Sequence, residues 1–184
     1  MFSKTLRRNT QVVFTIGNHE LWSFPGFQIE QIVSKYRTIL EKHGMYLLHN
    51  DLLYKEDCGL LADPNTGTHL IKYHDLCQMN KTQIADRLRS ARYVILGGSG
   101  FSGYNMEFNA DNGIYRMTVD RTTEIKESKI FEDLYNRLRP ILINKNTIIL
   151  THTPKKDWCR EAEPDKNYVY VSGHTHRNFF YDDG

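Results

Sequence analysis

Thr147-Ile148-Ile149-Leu150-Thr151-His152-Thr153-Pro154 is the stretch of sequence that decides the fold. A short, continuous run rich in β-branched residues leads straight into a polar cluster, which predicts a buried strand with functional side chains at its carboxyl end. The same arrangement occurs at 12–20 (VVFTIGNHE) and at 168–176 (YVYVSGHTH). In α/β sheets, ligand sites gather at the carboxyl ends of strands. We therefore expect three strand ends to bring four histidines and an asparagine into one cleft.

Around these stretches the pattern alternates between strands and helices, which predicts an α/β layered domain. Asn80 is typical of a helix start, while Gly44 and Pro140 are typical of helix ends. The expected helices are 28–43, 80–91 and 127–139. The further expected strands are 45–48, 52–55, 93–96 and 179–181, with a turn at Asn50-Asp51. With 184 residues and no repeat or linker, the chain fits one domain.

Composition indicates a soluble globular protein, because 40% of the residues are hydrophobic and 25% are charged. The 24 basic and 22 acidic residues nearly cancel, which excludes an overall positive potential that would attract nucleic acid. A local basic patch remains an alternative. No apolar run reaches the roughly 18 residues that span a bilayer, so no membrane partner is expected. No apolar segment follows the basic N-terminus, which argues against a secretory signal. Cys58, Cys77 and Cys159 have no Cys-x-x-Cys spacing, and this favours free thiols in a cytoplasmic protein over a disulfide.

The polar clusters contain residues that suit a metal centre. His174 and His176 lie about 7 Å apart along an extended chain, which suits two ions about 3.5–4 Å apart better than one ion. The alternative for His174 and His176 is that they belong to a surface loop without a metal. The alternative for His152 is a purely structural role. Asn18 offers a neutral oxygen ligand, and His19 beside it is suited to proton donation or to contact with a phosphate oxygen.

Taken together, Gly-Asn-His-Glu at 17–20, Thr-His-Thr-Pro at 151–154 and Gly-His-Thr-His at 173–176 resemble the calcineurin-like metallophosphoesterases over about 11–181. The resemblance implies a layered α/β/β/α sandwich and hydrolysis of a phosphate mono- or diester at a two-metal site. It implies that Asn18, His152 and His174 ligate one metal ion and that His176 ligates the other. His19 would lie near the leaving group. The implied cofactors are two divalent ions, manganese, iron or zinc, and a nucleotide substrate stays open.

The sequence departs from this family in one respect. The family places Asp-x-His and Gly-Asp-x-x-Asp upstream of Gly-Asn-His, and the sequence contains neither Asp-x-His nor Gly-Asp. Because two close cations need anionic charge between them, we expect the chain to hold at most one ion, weakly, and to hydrolyse little. The expected architecture is therefore a single, truncated metallophosphoesterase domain over 1–184, incomplete at its N-terminus and its C-terminus. The alternative is a non-catalytic phosphoesterase-like binding or scaffold module.

Two further stretches contain candidate phosphate-binding patterns. Residues 98–103 match the dinucleotide fingerprint Gly-x-Gly-x-x-Gly, but that fingerprint needs a helix to open there, and the following residues lack helical periodicity. A flexible loop near the cleft is expected, and a nucleotide-dependent oxidoreductase is the weaker alternative. The basic and aromatic stretch 155–160 favours a solvated loop over a phosphate-binding one. His43, His49, His69 and His74 are expected to be structural or exposed.

Overall fold

A main sheet of five strands and a separate ladder of two strands form the frame of the computed structural model, which describes residues 10–57, 66–116, 118–161 and 163–175. The strands are β1 Val13–Phe14, β2 Tyr46–Leu47, β3 Asp51–Glu56, β4 Thr68–Ile71, β5 Ala91–Gly98, β6 Asn146–Thr151 and β7 Tyr168–Ser172. The helices are α1 Asn18–Trp22, α2 Ile29–Glu41, α3 Tyr73–Gln78, α4 Lys81–Arg87, α5 Arg121–Leu142 and α6 Lys155–Trp158, with a 3-10 helix at Ala110–Asn112.

The main sheet has the order β4-β3-β5-β6-β7. Its β5, β6 and β7 strands are parallel, and β3 runs antiparallel to both of its neighbours. Gly98 pairs with Thr151, and Thr151 pairs with Ser172, so these three strands end side by side. The loops that carry the predicted polar clusters after β6 and β7 therefore leave the sheet at the same edge.

The two faces of the main sheet pack against different partners. On one face, Leu52, Val94 and Leu96 share a core with Phe131 and Leu138 of α5. On the other face, Leu53 and Ile95 pack with Leu48, and the β1–β2 ladder joins them through Val13 and Tyr46. Helix α2 packs its buried face in a third cluster with Ile16 and Leu47. The chain is thus an α/β protein built on a mixed sheet, as the alternating pattern predicted.

Local signals explain most of the element boundaries. Gly44 ends α2 with a left-handed φ of 67°, and Met45 N–H donates to Leu40 O over 3.1 Å, as expected for a glycine-terminated helix. Asn80 Oδ1 accepts from Gln83 N–H at 2.9 Å and caps α4, as predicted. Helix α4 ends at Arg87, earlier than predicted, because the chain enters β5 at Ala91.

Two boundary predictions were wrong or incomplete, and four short elements were missed. Helix α5 begins at Arg121 rather than near 127, because Asp120 Oδ1 accepts from Thr123 N–H at 2.7 Å and caps an earlier start. Asn50 makes the predicted turn with a φ of 60°, but Asp51 already belongs to β3. The short elements β4, α1, α3 and α6 were not predicted as such. The strand predicted at 179–181 lies outside the described residues.

Two other predictions concern the cysteines and the membrane. Cys77 and Cys159 are free thiols, as expected, and Cys58 lies outside the described residues. Across the helices that the structure describes, none is both long enough and apolar enough to cross a membrane.

Candidate metal centre

Three of the predicted ligands meet at the carboxyl edge of the main sheet. His152 Nε2 lies 2.8 Å from Asn18 Oδ1 and 3.0 Å from His174 Nδ1. The three side chains come from positions that are 134 and 22 residues apart in the chain, so only the fold brings them together. The two imidazole rings stand edge to face with centroids 4.9 Å apart.

The spacing of these atoms fits a shared cation. Two ligands about 2.1 Å from one ion lie about 3 Å apart when their bonds are at right angles. Asn18 Oδ1 can only accept hydrogen bonds, and each neutral imidazole has one nitrogen that carries a lone pair. A divalent ion that accepts neutral oxygen and imidazole nitrogen ligands therefore matches the donor set.

Asn18 is oriented by a carbonyl on a distant loop. Its Nδ2 donates to Ile114 O over 3.3 Å. Because only the nitrogen end of the amide can donate, this contact identifies the other end as Oδ1, which faces His152. Trp22, one turn later on α1, donates its indole N–H to the same carbonyl at 2.8 Å. Glu20 Oε2 accepts from Gly17 N–H at 2.8 Å, so this carboxylate caps the start of α1.

His152 is held on both sides by backbone hydrogen bonds. Its N–H donates to Ser99 O at 3.2 Å, and its carbonyl accepts from Gly173 N–H at 3.0 Å. Ser99 Oγ in turn donates to Ile16 O at 3.0 Å, which ties this edge to the chain before Gly17. The His152 ring lies so close to Gly17 that a Cβ there would come within 2.7 Å of Nε2. Gly17 is therefore needed for room at this point.

His174 occupies an unusual backbone conformation. Its φ is 64°, in the left-handed region that few side chains other than glycine and asparagine adopt readily. A buried carboxylate that interacts electrostatically with His174 is that of Asp157, which accepts from Asn105 Nδ2 at 2.9 Å and from Ser102 Oγ at 3.2 Å. Burial raises the pKa of Asp157, while its hydrogen bonds and the charges of Lys156 and His174 act in the opposite direction.

Of the other two predicted site residues, only His19 lies within the part of the chain that the structure describes. His19 is exposed, and its ring packs against Trp22 with centroids 4.3 Å apart. His176 lies outside the described residues. Within the described ranges, no group of three or more His, Cys, Asp or Glu side chains could hold a metal ion, so the set consists of two imidazoles and one amide.

Clefts of about 290 and 480 Å³ lie beside α2 and α5, and neither is lined by Asn18, His152 or His174.

The stretch after β5 lacks a helix, as predicted, but its loop is more firmly held than predicted. No helix opens at 99–109, so the geometry of a dinucleotide fingerprint does not form there. The loop begins with buried residues, because Ser102 N–H and Ala110 N–H both donate to the buried carboxylate of Glu124. Gly103 N–H donates to Ser128 Oγ at 2.9 Å. A loop tied down in this way supports the neighbouring ligand loops, which the prediction of a flexible loop did not anticipate.

The prediction of a solvated loop at 155–160 was wrong. This stretch begins with α6, and Lys155 is buried with its ammonium donating to Glu163 O at 2.7 Å and to Glu161 O. Trp158 is fully buried in the core against Phe131 and Tyr135. The Lys155 ammonium is thus used to hold a loop and is not directed to solvent.

The remaining histidines are structural or exposed, as predicted. His69 lies 3.4 Å from Glu56 and stacks on Tyr54, and His74 contacts Gln78. Burial and the Arg37 charge lower the pKa of His49 to about 4. Sequence reasoning missed the residues around the ligands, namely Ser99, Ile114 and Trp22. A tryptophan four positions after Asn18 was a usable signal, whereas the backbone carbonyls gave none.

Comparisons with protein-family models, with curated proteins and with solved structures found no match for this chain.

Proposed function

We propose that the chain forms part of a metal-dependent phosphoesterase site that hydrolyses a phosphate mono- or diester. The observation that supports this proposal is the meeting of Asn18 Oδ1, His152 Nε2 and His174 Nδ1 within hydrogen-bonding distance. These residues also occupy the matching positions in the three motifs that resemble the calcineurin-like family. The five-stranded sheet and the β1–β2 ladder would then correspond to the two sheets of that family's sandwich.

Asn18, His152 and His174 would hold one divalent ion, manganese, iron or zinc. His176 would serve a second ion through the family resemblance. A bound ion would lower the pKa of a coordinated water and neutralise charge on phosphoryl oxygens. The Ile114 carbonyl keeps the Asn18 oxygen turned inward, and the Ser99 and Gly173 backbones fix the position of His152. Such supporting contacts orient ligands and commonly matter as much as the ligands do.

His19 would act on the leaving group. It follows Asn18 directly, its side chain is exposed, and its ring rests on Trp22. A proton or hydrogen bond donated from this ring to the leaving oxygen would stabilise the negative charge that develops there.

A second candidate function is a binding module without catalysis. The sequence lacks Asp-x-His and Gly-Asp, and the described part of the chain offers no carboxylate among the three site ligands. Two adjacent cations need such a group between them. We therefore expect about one bound ion per chain and slow turnover.

The test is Mn²⁺ binding by calorimetry and elemental analysis, combined with hydrolysis of para-nitrophenyl phosphate and bis-para-nitrophenyl phosphate. The variants are His152→Ala and His174→Ala, and His74→Ala is the matched exposed control. We expect the two site variants to lose Mn²⁺ binding at least tenfold and the control to keep it, because each removes one ligand.

The outcomes separate the two functions. Mn²⁺ binding that depends on the site histidines, together with turnover, supports the phosphoesterase. The same binding without turnover supports the non-catalytic module. Equal Mn²⁺ binding by wild type and His174→Ala would overturn the metal centre, and two tightly held ions per chain would overturn the prediction of a single ion.

A further inference from the structure

A stack of three side chains stands next to Asn18, on the exposed side of α1. It consists of His19, Trp22 and Arg116, and we call it the Trp22 stack. The Arg116 guanidinium carbon lies 3.8 Å from the centre of the Trp22 ring, and the His19 ring lies 4.3 Å from it. Trp22 is fixed in turn, because its indole N–H and the Asn18 amide donate to the same Ile114 carbonyl. Contacts of less than 4 Å therefore lead from a predicted metal ligand to the guanidinium.

Arg116 differs from the other arginines near the core. Arg37, Arg121 and Arg139 each form an ion pair with a carboxylate. Among the described residues, Arg116 is exposed and forms no ion pair. A guanidinium held by its flat face on an indole keeps its N–H edge available for hydrogen bonds.

The backbone of Arg116 also departs from a relaxed loop. Its φ is 42°, in the region that disfavours a side chain with a Cβ, and its N–H donates to Gly113 O at 3.1 Å in a tight turn. Such conformations are unfavourable for a residue with a Cβ and persist where surrounding contacts hold them. The turn presents Arg116 to α1 and thus to the rim of the metal centre.

We propose that Arg116, held on Trp22, is a substrate-binding residue that donates hydrogen bonds to a phosphate oxygen at the rim of the metal centre. This inference rests on the proposed function and specifies its substrate contact. The planar guanidinium matches two phosphate oxygens at once, which a lysine ammonium does not. His19 flanks the same rim and offers a second donor to the bound anion.

The competing explanation is that Arg116 only fastens the loop to α1. That role predicts a loss of stability on substitution with no change in anion affinity. The chain offers a control in Arg89, an exposed arginine paired with Asp86 at a distance from the site. Three variants, Arg116→Lys, Arg116→Ala and Arg89→Ala, therefore separate charge, fork geometry and general surface effects.

The experiment titrates the purified chain with orthophosphate, once in saturating Mn²⁺ and once in EDTA. Phosphate binding is measured by calorimetry and by tryptophan emission. Because Trp158 is fully buried, a change in emission reports on Trp22. We expect Arg116→Ala to weaken phosphate binding about tenfold to a hundredfold and Arg116→Lys about tenfold, with Arg89→Ala within about twofold of wild type. Mn²⁺ affinity without phosphate should be the same in all four proteins.

The results distinguish this inference from the proposed function. Wild-type phosphate affinity in Arg116→Ala or in Arg116→Lys would overturn the inference, whatever the melting temperature does. Mn²⁺ binding would then still support the metal centre. Conversely, Arg116-dependent phosphate binding in a chain that holds no Mn²⁺ would overturn the proposed function and leave Arg116 as an anion contact.

Discussion

The amino-terminal layer, residues 10–48, and the main layer, the five-stranded sheet with α5, are held together in different ways. In the main layer, β5 and β6 pair over six residues, and α5 covers one face. In the amino-terminal layer, β1 and β2 pair over two residues only. Strand pairing of that length adds little, so side-chain packing must hold this layer in place. The position of the amino-terminal layer therefore depends on what it packs against.

The loop between β5 and α5 provides that support. Phe101, Tyr115 and Val119 from this loop complete the cluster that contains Ile16 and Leu47 of the amino-terminal layer. The candidate metal centre is divided in the same way, because Asn18 belongs to the amino-terminal layer and both histidines to the main layer. A cation bound there would join the two layers and stabilise their association.

Replacing Glu124 with Ala should break this arrangement most strongly. The fully buried carboxylate accepts from Ala110 N–H at 2.9 Å, from Ser102 N–H at 3.2 Å and from Arg121 at 2.8 Å. Its removal leaves the Ser102 and Ala110 N–H groups without their partner and takes a buried carboxylate from Arg121, which keeps its hydrogen bonds to Ser102 O and Gly103 O. Breaking one side of a buried ion pair costs about 3–5 kcal/mol. We expect a loss of that size in the free energy of unfolding, measured with urea and circular dichroism.

Asp133→Ala is the matched control for this prediction. Asp133 pairs with Lys129 at 2.7 Å in an exposed i, i+4 arrangement on the same helix. Exposed helical pairs contribute about 0.3–0.5 kcal/mol. If both variants lost similar stability, the support that Glu124 gives to the loop would be disproved.

Acid should loosen the junction of the two layers through His49, which lies between β2 and β3. Burial, with the nearby Arg37 charge, lowers the pKa of His49 to about 4 in the folded chain, from 6.5. Between these values the unfolded chain binds a proton that the folded chain does not. This contribution to stability is therefore complete above pH 6.5 and is lost as the pH falls toward 4, amounting to about 3 kcal/mol.

The measurement is the free energy of unfolding of wild type and His49→Gln between pH 7 and pH 4. Subtracting the two curves removes the carboxyl groups that titrate in the same range, including Asp51, whose pKa is raised by burial. We expect the wild type to lose about 3 kcal/mol more than the variant over this range. Parallel curves would show that His49 is solvated.

The sequence predicted the main layer better than the amino-terminal layer, for a physical reason. Runs such as Thr147–Leu150 are buried on one face and half-buried on the other, so a short, continuous apolar run indicates a strand. In the amino-terminal layer the sequence predicted the long helix α2, but the other elements are two-residue strands and a five-residue helix. Their positions are set by distant contacts such as Ile114 O with Asn18. The motifs identified Asn18, His152 and His174, but Arg116 gave no signal because its position depends on a turn 94 residues beyond Trp22.

Gly17→Ala should disturb the metal centre without straining the backbone. The φ of Gly17 is −123°, which any residue adopts, so the substitution introduces no backbone strain. Its Cβ would press on the His152 ring, and overpacking of this kind costs about 1–3 kcal/mol. We expect Mn²⁺ affinity to fall at least tenfold, as measured by calorimetry, because the imidazole must move away from Asn18.

Gly26→Ala provides the opposite control in the same layer. Gly26 has a left-handed φ of 83°, and a Cβ there would meet no atom within 4 Å. It should therefore lose about 1 kcal/mol of stability through strain and keep its Mn²⁺ affinity. Unchanged Mn²⁺ affinity in Gly17→Ala would mean that the His152 ring does not need this position to bind a metal.

The smallest expected effect on stability is the difference between glycine and alanine at His174. Its φ of 64° disfavours any residue with a Cβ, so His174→Gly should be more stable than His174→Ala by about 1 kcal/mol. Glycine gains this advantage although it also raises the entropy of the unfolded chain, which favours alanine where the backbone is relaxed. Both variants should lose Mn²⁺ binding, because both lack the imidazole. Urea unfolding without metal tests the comparison. If alanine proved equal to or better than glycine, the backbone would be relaxed there, and the presentation of Nδ1 to His152 would not require a strained turn.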